Sequence, residues 1–200
     1  MWRAARTLRP RTVRGKRLPR LMLFTDPVRT PDPAAAIAAL PRGAGVVYRA
    51  FGDPAAVATG RRLVRVARRA GVILLAGADG ALAAAIGADG VHLPERVAHR
   101  AAGLRRARPG WLVTCAAHSA PAIATARRAG ADAVVVSPVF PSASPSAGRP
   151  LGPLRFATLV RGARLPVYAL GGVNDGTAMR LARSGVAGLA AVEALAVTST

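Results

Sequence analysis

At 200 residues, 52% of them apolar and only 4% aromatic, the chain is long enough for one domain whose core is built mainly from Ala, Val and Leu. No apolar run approaches the ~18 residues of a membrane span, and neither a membrane nor a signal-peptide core is expected. The net charge of +20 is almost all arginine, with Lys16 the sole lysine. The single cysteine, Cys115, excludes a disulfide framework or zinc cluster and makes a reducing cytoplasm the expected compartment.

Residues 1–20 carry eight basic groups and no acid, with Pro10 and Pro19 interrupting them. They predict a basic, disordered extension ahead of a single domain over 21–200. Short apolar runs then recur, most of them entered through small residues and an Asp or Gly: "LMLFTD" (21–26), "AGVVYR" (44–49), "AGVILLA" (70–76), "GADGVHL" (87–93), "WLVTCAA" (111–117), "GADAVVV" (130–136), "PVYALGG" (166–172) and "GVAGLAAV" (185–192). Helical patterns lie between them at about 32–40, 54–69, 78–87, 95–107, 119–129, 151–162 and 174–184, with a final short one from 193. In the 54–70 stretch, Leu63, Val66, Ala67 and Ala70 share one side and Arg61, Arg62, Arg65, Arg68 and Arg69 the other, a solvated basic face. The runs are nearly continuous in apolar residues, as strands buried on both faces should be. Eight such βα units predict a compact (β/α)8 TIM barrel; an open doubly wound sheet is the alternative, and the even cadence favours closure.

Chemistry in such a barrel collects where the strands end. The residues ending these runs are Asp26, Arg49, Gly77, His92, His118, Ser137, Gly171 and Glu193. His92 and His118 are candidate acid–base groups, or satisfied structural histidines. His99 is read as exposed on a helix and Cys115 as core. "LGGVND" (170–175) offers Gly171 and Gly172 for an anion, or a tight turn with Asn174 capping a helix. The loop "SPVFPSASPSAGRPLG" (137–152) brings the hydroxyls of Ser142, Ser144 and Ser146 as phosphate partners.

Taken in order, "LMLFTD", "GVVYR", "LAAAIGADGVHL", "AAHS", "GADAVVVSPVFPSAS", "PVYALGGV" and "GVAGLAAVEAL" resemble the thiamine phosphate synthase and thiazole tautomerase superfamily over about 21–196. The resemblance implies coupling of a pyrimidine pyrophosphate to a thiazole phosphate with Mg2+. It assigns Arg49 to the pyrimidine substrate and Ser142 and Ser144 to the pyrophosphate-binding loop. The departures are as specific. The family's substrate-binding lysine is Phe51, its Asn–Asp pair falls on Gly77 and Ala78, and its second Mg2+ aspartate falls on Val97. The serine before the strand-five histidine is Ala116, the loop lysine is Pro145, and the thiazole-phosphate serine is Glu193. The tautomerase histidine is missing near Ser137 and Pro138. Asp79 and Glu95 would serve a metal only if their loops shifted register.

Two functions therefore stand: a divergent synthase of thiamine assembly, or a catalytically degenerate barrel that binds or acts on a related heterocyclic or phosphate ligand through Arg49, His92, His118 and Glu193. Asp26, Arg49 and Glu193 are expected to form one ion-paired cluster, since the first, second and eighth strands are neighbours in a closed barrel. The expected partner is a small heterocyclic phosphate. A homodimer is left open, and nucleic acid is disfavoured because a barrel offers no groove for it.

Overall fold

The computed structural model describes residues 1–142, 144 and 148–195. Eight parallel strands close into a barrel: β3 (Leu21–Phe24), β4 (Gly45–Tyr48), β5 (Ile73–Gly77), β6 (Gly90–Leu93), β7 (Leu112–Ala117), β8 (Ala133–Val136), β9 (Val167–Ala169) and β10 (Gly188–Ala191). Closure is made by β10 on β3, with Leu189, Ala190 and Ala191 opposite Leu21, Met22 and Leu23. Outside the strands lie α2 (Pro33–Ala38), α3 (Ala56–Ala70), α4 (Gly80–Ile86), a 3-10 turn (Glu95–Arg100) leading into α5 (Ala101–Ala107), α6 (Ala120–Arg128), α7 (Gly152–Gly162), and α8 (Asp175–Ala178) continuing as a 3-10 turn over Met179–Leu181. The eight expected strands and the helices between them are all present. The helix expected from 193 lies mostly outside the described residues.

The continuous apolar runs have a direct cause. One set of side chains, including Met22, Phe24, Val47, Leu75, Val135 and Tyr168, forms one buried core. The alternate set, including Leu23, Val46, Leu74, Val91, Cys115 and Val134, packs with the helices in a second. Both faces of every strand are buried, so no polar alternation is left to read. Cys115 is fully buried as expected, and burial pushes its thiol up to about 12. Four helices start on side-chain caps: Asp32 for α2, Asp79 for α4, Ser119 for α6 and Asn174 for α8, the last as a capping box with Thr177.

Residues 1–20 correct the expectation of a disordered extension. They form α1 (Trp2–Thr7) and an antiparallel hairpin of β1 (Thr12–Val13) and β2 (Lys16–Arg17). Arg14 and Gly15 make its two-residue turn with φ of 50° and 75°, the left-handed pair that matches the twist of a hairpin. Val13 and Leu18 join the first of the two cores. The Arg14 guanidinium forks onto the buried Asp132 carboxylate at 2.8 and 2.6 Å and also donates to the Trp111 carbonyl at 3.0 Å. Asp132 directly precedes β8, so the hairpin seals the end of the barrel where the strands begin. Tyr168 supports this from within, its hydroxyl donating to the Pro19 carbonyl at 2.7 Å.

Candidate functional site

The opposite end, where the strands finish, is open. Three adjoining cavities cross it, of about 940, 480 and 180 Å3, and all three are lined by Leu170 just after β9. The largest lies over β4–β6, the middle one beneath the loop after β8, and the smallest between the loops after β9 and β10. Arg49 lines the first two, while Arg29, Ser142, Ser144 and Gly171 line the last two. Arg49, His92, His118, Ser142, Ser144, Gly171, Gly172 and Glu193 thus gather at one mouth. Ser146 lies outside the described residues.

The expected ion-paired cluster exists, with a member the sequence reading missed. Arg49 Nη2 lies 3.4 Å from Asp26 Oδ2, and its Nε donates to the Thr25 carbonyl at 2.6 Å. Glu193 does not reach Arg49 through any ion pair. It pairs instead with Arg29, whose Nε is 3.8 Å from Glu193 Oε1 and whose Nη2 donates to Asp26 Oδ2 at 2.9 Å. Arg29 therefore bridges two carboxylates. Its hydrogen bond holds the Asp26 carboxyl down at about 2, so the aspartate is ionised throughout the working range. The Asp26–Arg29 spacing of three residues was the available signal, hidden among many arginines.

The two histidines part company. His92 is buried, bonds Thr114 Oγ1 through Nδ1 at 2.9 Å, and meets the Phe24 ring edge-on at 5.0 Å. Burial, then the nearby Arg49 charge, pull its pKa down to about 3. Burial and the Thr114 bond favour a neutral imidazole at physiological pH, the structural alternative of the two readings given for it. His118 is exposed, and its Nδ1 sits 2.6 Å from the Ser137 carbonyl. A carbonyl only accepts, so Nδ1 carries the proton and Nε2 is left as the basic nitrogen. His99 is exposed on the 3-10 turn, as expected.

Gly171 and Gly172 have φ of 87° and 63°, and a Cβ on either would strike the loop after β8, at Pro138 Cα (2.7 Å) or the Pro141 carbonyl (2.3 Å). Glycine is required there by the backbone alone. Asn174 Oδ1 accepts from the N–H groups of Gly176 and Thr177, so the short helix end is already capped. The backbone N–H groups of Gly171 and Gly172 donate to no protein acceptor among the described residues and are open to an anion. Both glycines line a small cavity shared with Arg29, Ser142 and Ser144.

With this geometry in view, similarity to known proteins is informative. The sequence profile described as thiamine monophosphate synthase matches residues 21–195, from the first barrel strand to just past the last. The chain belongs to the thiamine monophosphate synthase family. It is 35% identical over 143 residues to a thiamine biosynthesis bifunctional protein of Symbiobacterium thermophilum, covering 71% of this chain and 30% of that one. It is 32% identical over 146 residues to the thiamine-phosphate synthase of Chlorobium luteolum, covering 69% of each. The match therefore spans less than a third of the first relative and about two thirds of the second. Among solved structures it is similar to a thiamine phosphate pyrophosphorylase from Pyrococcus furiosus, with a TM-score of 0.74, 22% identity, and coverage of 89% of this chain and 88% of that one.

At the family's two Mg2+-binding aspartate positions, after the third and fourth barrel strands, this chain has Ala78 and Val97, which do not fit the ion. The nearby acids each keep one carboxylate oxygen on the backbone. Asp79 Oδ1 accepts from the N–H groups of Ala81 and Leu82 at 2.7 and 3.0 Å, capping α4. Glu95 Oε2 accepts from the His118 N–H at 2.8 Å, holding the entry to α6. Among the described residues no three His, Cys, Asp or Glu side chains converge. Gly77, at the position of the family's asparagine, sits close to its neighbours: a Cβ there would lie 3.1 Å from both Arg49 Cγ and the Tyr48 carbonyl oxygen.

Proposed function

We propose that the chain binds a phosphorylated heterocycle of thiamine assembly across this mouth. The phosphate lies on the Gly171 and Gly172 N–H groups, with Arg29 and the Ser142 and Ser144 hydroxyls beside it. The ring lies towards Arg49 and His118. The observation that carries the reading is the pair of glycines with unpartnered N–H groups lining one cavity with Arg29. Arg29 also offsets Glu193, which would otherwise repel a phosphate. His118 Nε2 is available to accept a proton, whereas His92 serves as an uncharged wall.

The departures from the family's ligand set support a binding barrel without metal-assisted coupling. Loss of pyrophosphate requires cations and donors around the leaving group, and Phe51, Gly77, Ala78 and Val97 supply none. A second reading, retained synthase turnover, is favoured by family membership and by Arg49 at its family position. The free, buried cysteine supports a cytoplasmic location, and among the described residues no helix is long and apolar enough to cross a membrane.

The test is formation of thiamine monophosphate by the purified protein given both precursors and Mg2+, with Arg49→Ala alongside. No product, with both precursors intact, is the expected result. Product that disappears in Arg49→Ala would refute the binding-only reading and place a rearranged coupling site at Arg49.

A further inference from the structure

The largest cavity, about 940 Å3 over the ends of β4, β5 and β6, has walls unlike the rest of the mouth. Phe24, Phe51, Val57, Leu82 and several alanines line it. Its two acids, Asp53 and Asp79, are exposed at its rim and each keeps one oxygen on the backbone: Asp53 Oδ1 accepts from the Ala55 N–H at 2.8 Å, and Asp79 Oδ1 caps α4. Its histidine is buried against Thr114, and its one cation, Arg49, is tied to Thr25 and Asp26. An anion entering here would lose water and meet only that one tied cation.

Two further observations concentrate at this room. Phe51 and Val57 are among the few large apolar side chains left exposed, Phe51 by 61%, and both stand on its wall. Phe51 and Ala78 are also two of the four described non-glycine residues with a left-handed backbone, φ 48° and 67°. Such conformations cost free energy and persist where surrounding structure holds them. The Phe51 ring is presented to the mouth with the Arg49 guanidinium 4.8 Å from its centroid.

We infer that this room takes an uncharged aromatic or heteroaromatic ring, on the same molecule whose phosphate lies at Gly171 and Gly172, and that Phe51 selects it. The inference rests on the phosphate reading above for the other end of the cleft. Continuity is given by Arg49, Ser137 and Leu170, which line both this room and its neighbour. The ring displaces water from apolar walls and stacks on Phe51, and no metal ion takes part.

The experiment is calorimetric titration of the full chain with 2-naphthyl phosphate, inorganic phosphate, and pyrophosphate plus Mg2+, each repeated with EDTA. The naphthyl ester is expected to bind at least about tenfold more tightly than inorganic phosphate, unchanged by EDTA. Phe51→Ala is expected to lose most of that gain, and Phe51→Lys to lose it while raising affinity for pyrophosphate. Equal affinity for ester and inorganic phosphate would overturn this inference and leave the phosphate reading standing. No binding of either would overturn both. Magnesium-dependent pyrophosphate binding tighter than that of the ester would overturn the inference outright. The wild-type comparison decides the question even if a variant fails to fold.

Discussion

Replacing Arg14 with alanine tests whether the N-terminal hairpin is a structural seal. Asp132 is 1% exposed, and Arg14 gives it two charged hydrogen bonds; without them its remaining partner is the Val113 N–H at 2.8 Å. Removing one member of a buried pair leaves an uncompensated charge, at a cost of about 3–5 kcal/mol. Arg14 is partly solvated, its side chain 29% exposed, so the lower end applies, about 3 kcal/mol. For a chain of this size that lowers Tm by about 6–12 °C. Calorimetry or urea unfolding would measure it, and adding Asp132→Asn should recover part of the loss because the stranded charge is gone. A Tm change below about 2 °C would refute the seal and return residues 1–20 to a solvated arm.

Two further outcomes follow from the mouth. His92 is neutral when folded down to about pH 3 but takes a proton near 6.5 when unfolded. Its contribution is complete above pH 7 and is lost as pH falls from 6.5 towards 3. Urea titrations should show the wild type losing about 2 kcal/mol more than His92→Gln between about pH 7 and 4.5, and parallel curves would contradict the assignment. Gly77→Asn should cost about 1–2 kcal/mol by crowding the Arg49 stem, a loss relieved when Arg49→Ala is combined with it. Additive losses in the double variant would show that the two residues do not compete for space.

The barrel was legible because its signal is repeated and local. Each strand is a short apolar run, most of them entered from small residues, and four of the helices start on a side-chain cap, so most units announce themselves within about 25 residues. The end of each run also named most of the mouth: Arg49, His92, His118, Gly171 and Glu193 all arrive there. The hairpin was illegible for the opposite reason. Arg14 finds Asp132 across 118 residues of chain, and composition shows only another arginine in a basic stretch. Arg29 was lost in the same crowd. The protonation state of His92 was hidden too, since it depends on burial among Phe24, Thr114 and Arg49, which no spacing encodes. Asp79 and Glu95 looked like spare acids until their backbone partners were seen.

The tight fit at Gly77 ties two positions of the mouth together. A side chain there would begin 3.1 Å from both Arg49 Cγ and the Tyr48 carbonyl oxygen, and of these only the arginine stem can yield. Residue 77 therefore sets how much freedom the Arg49 guanidinium has above Thr25 and Asp26. Anyone adding a polar donor at 77 would be redesigning the arginine at the same time, and both would have to be chosen as one unit.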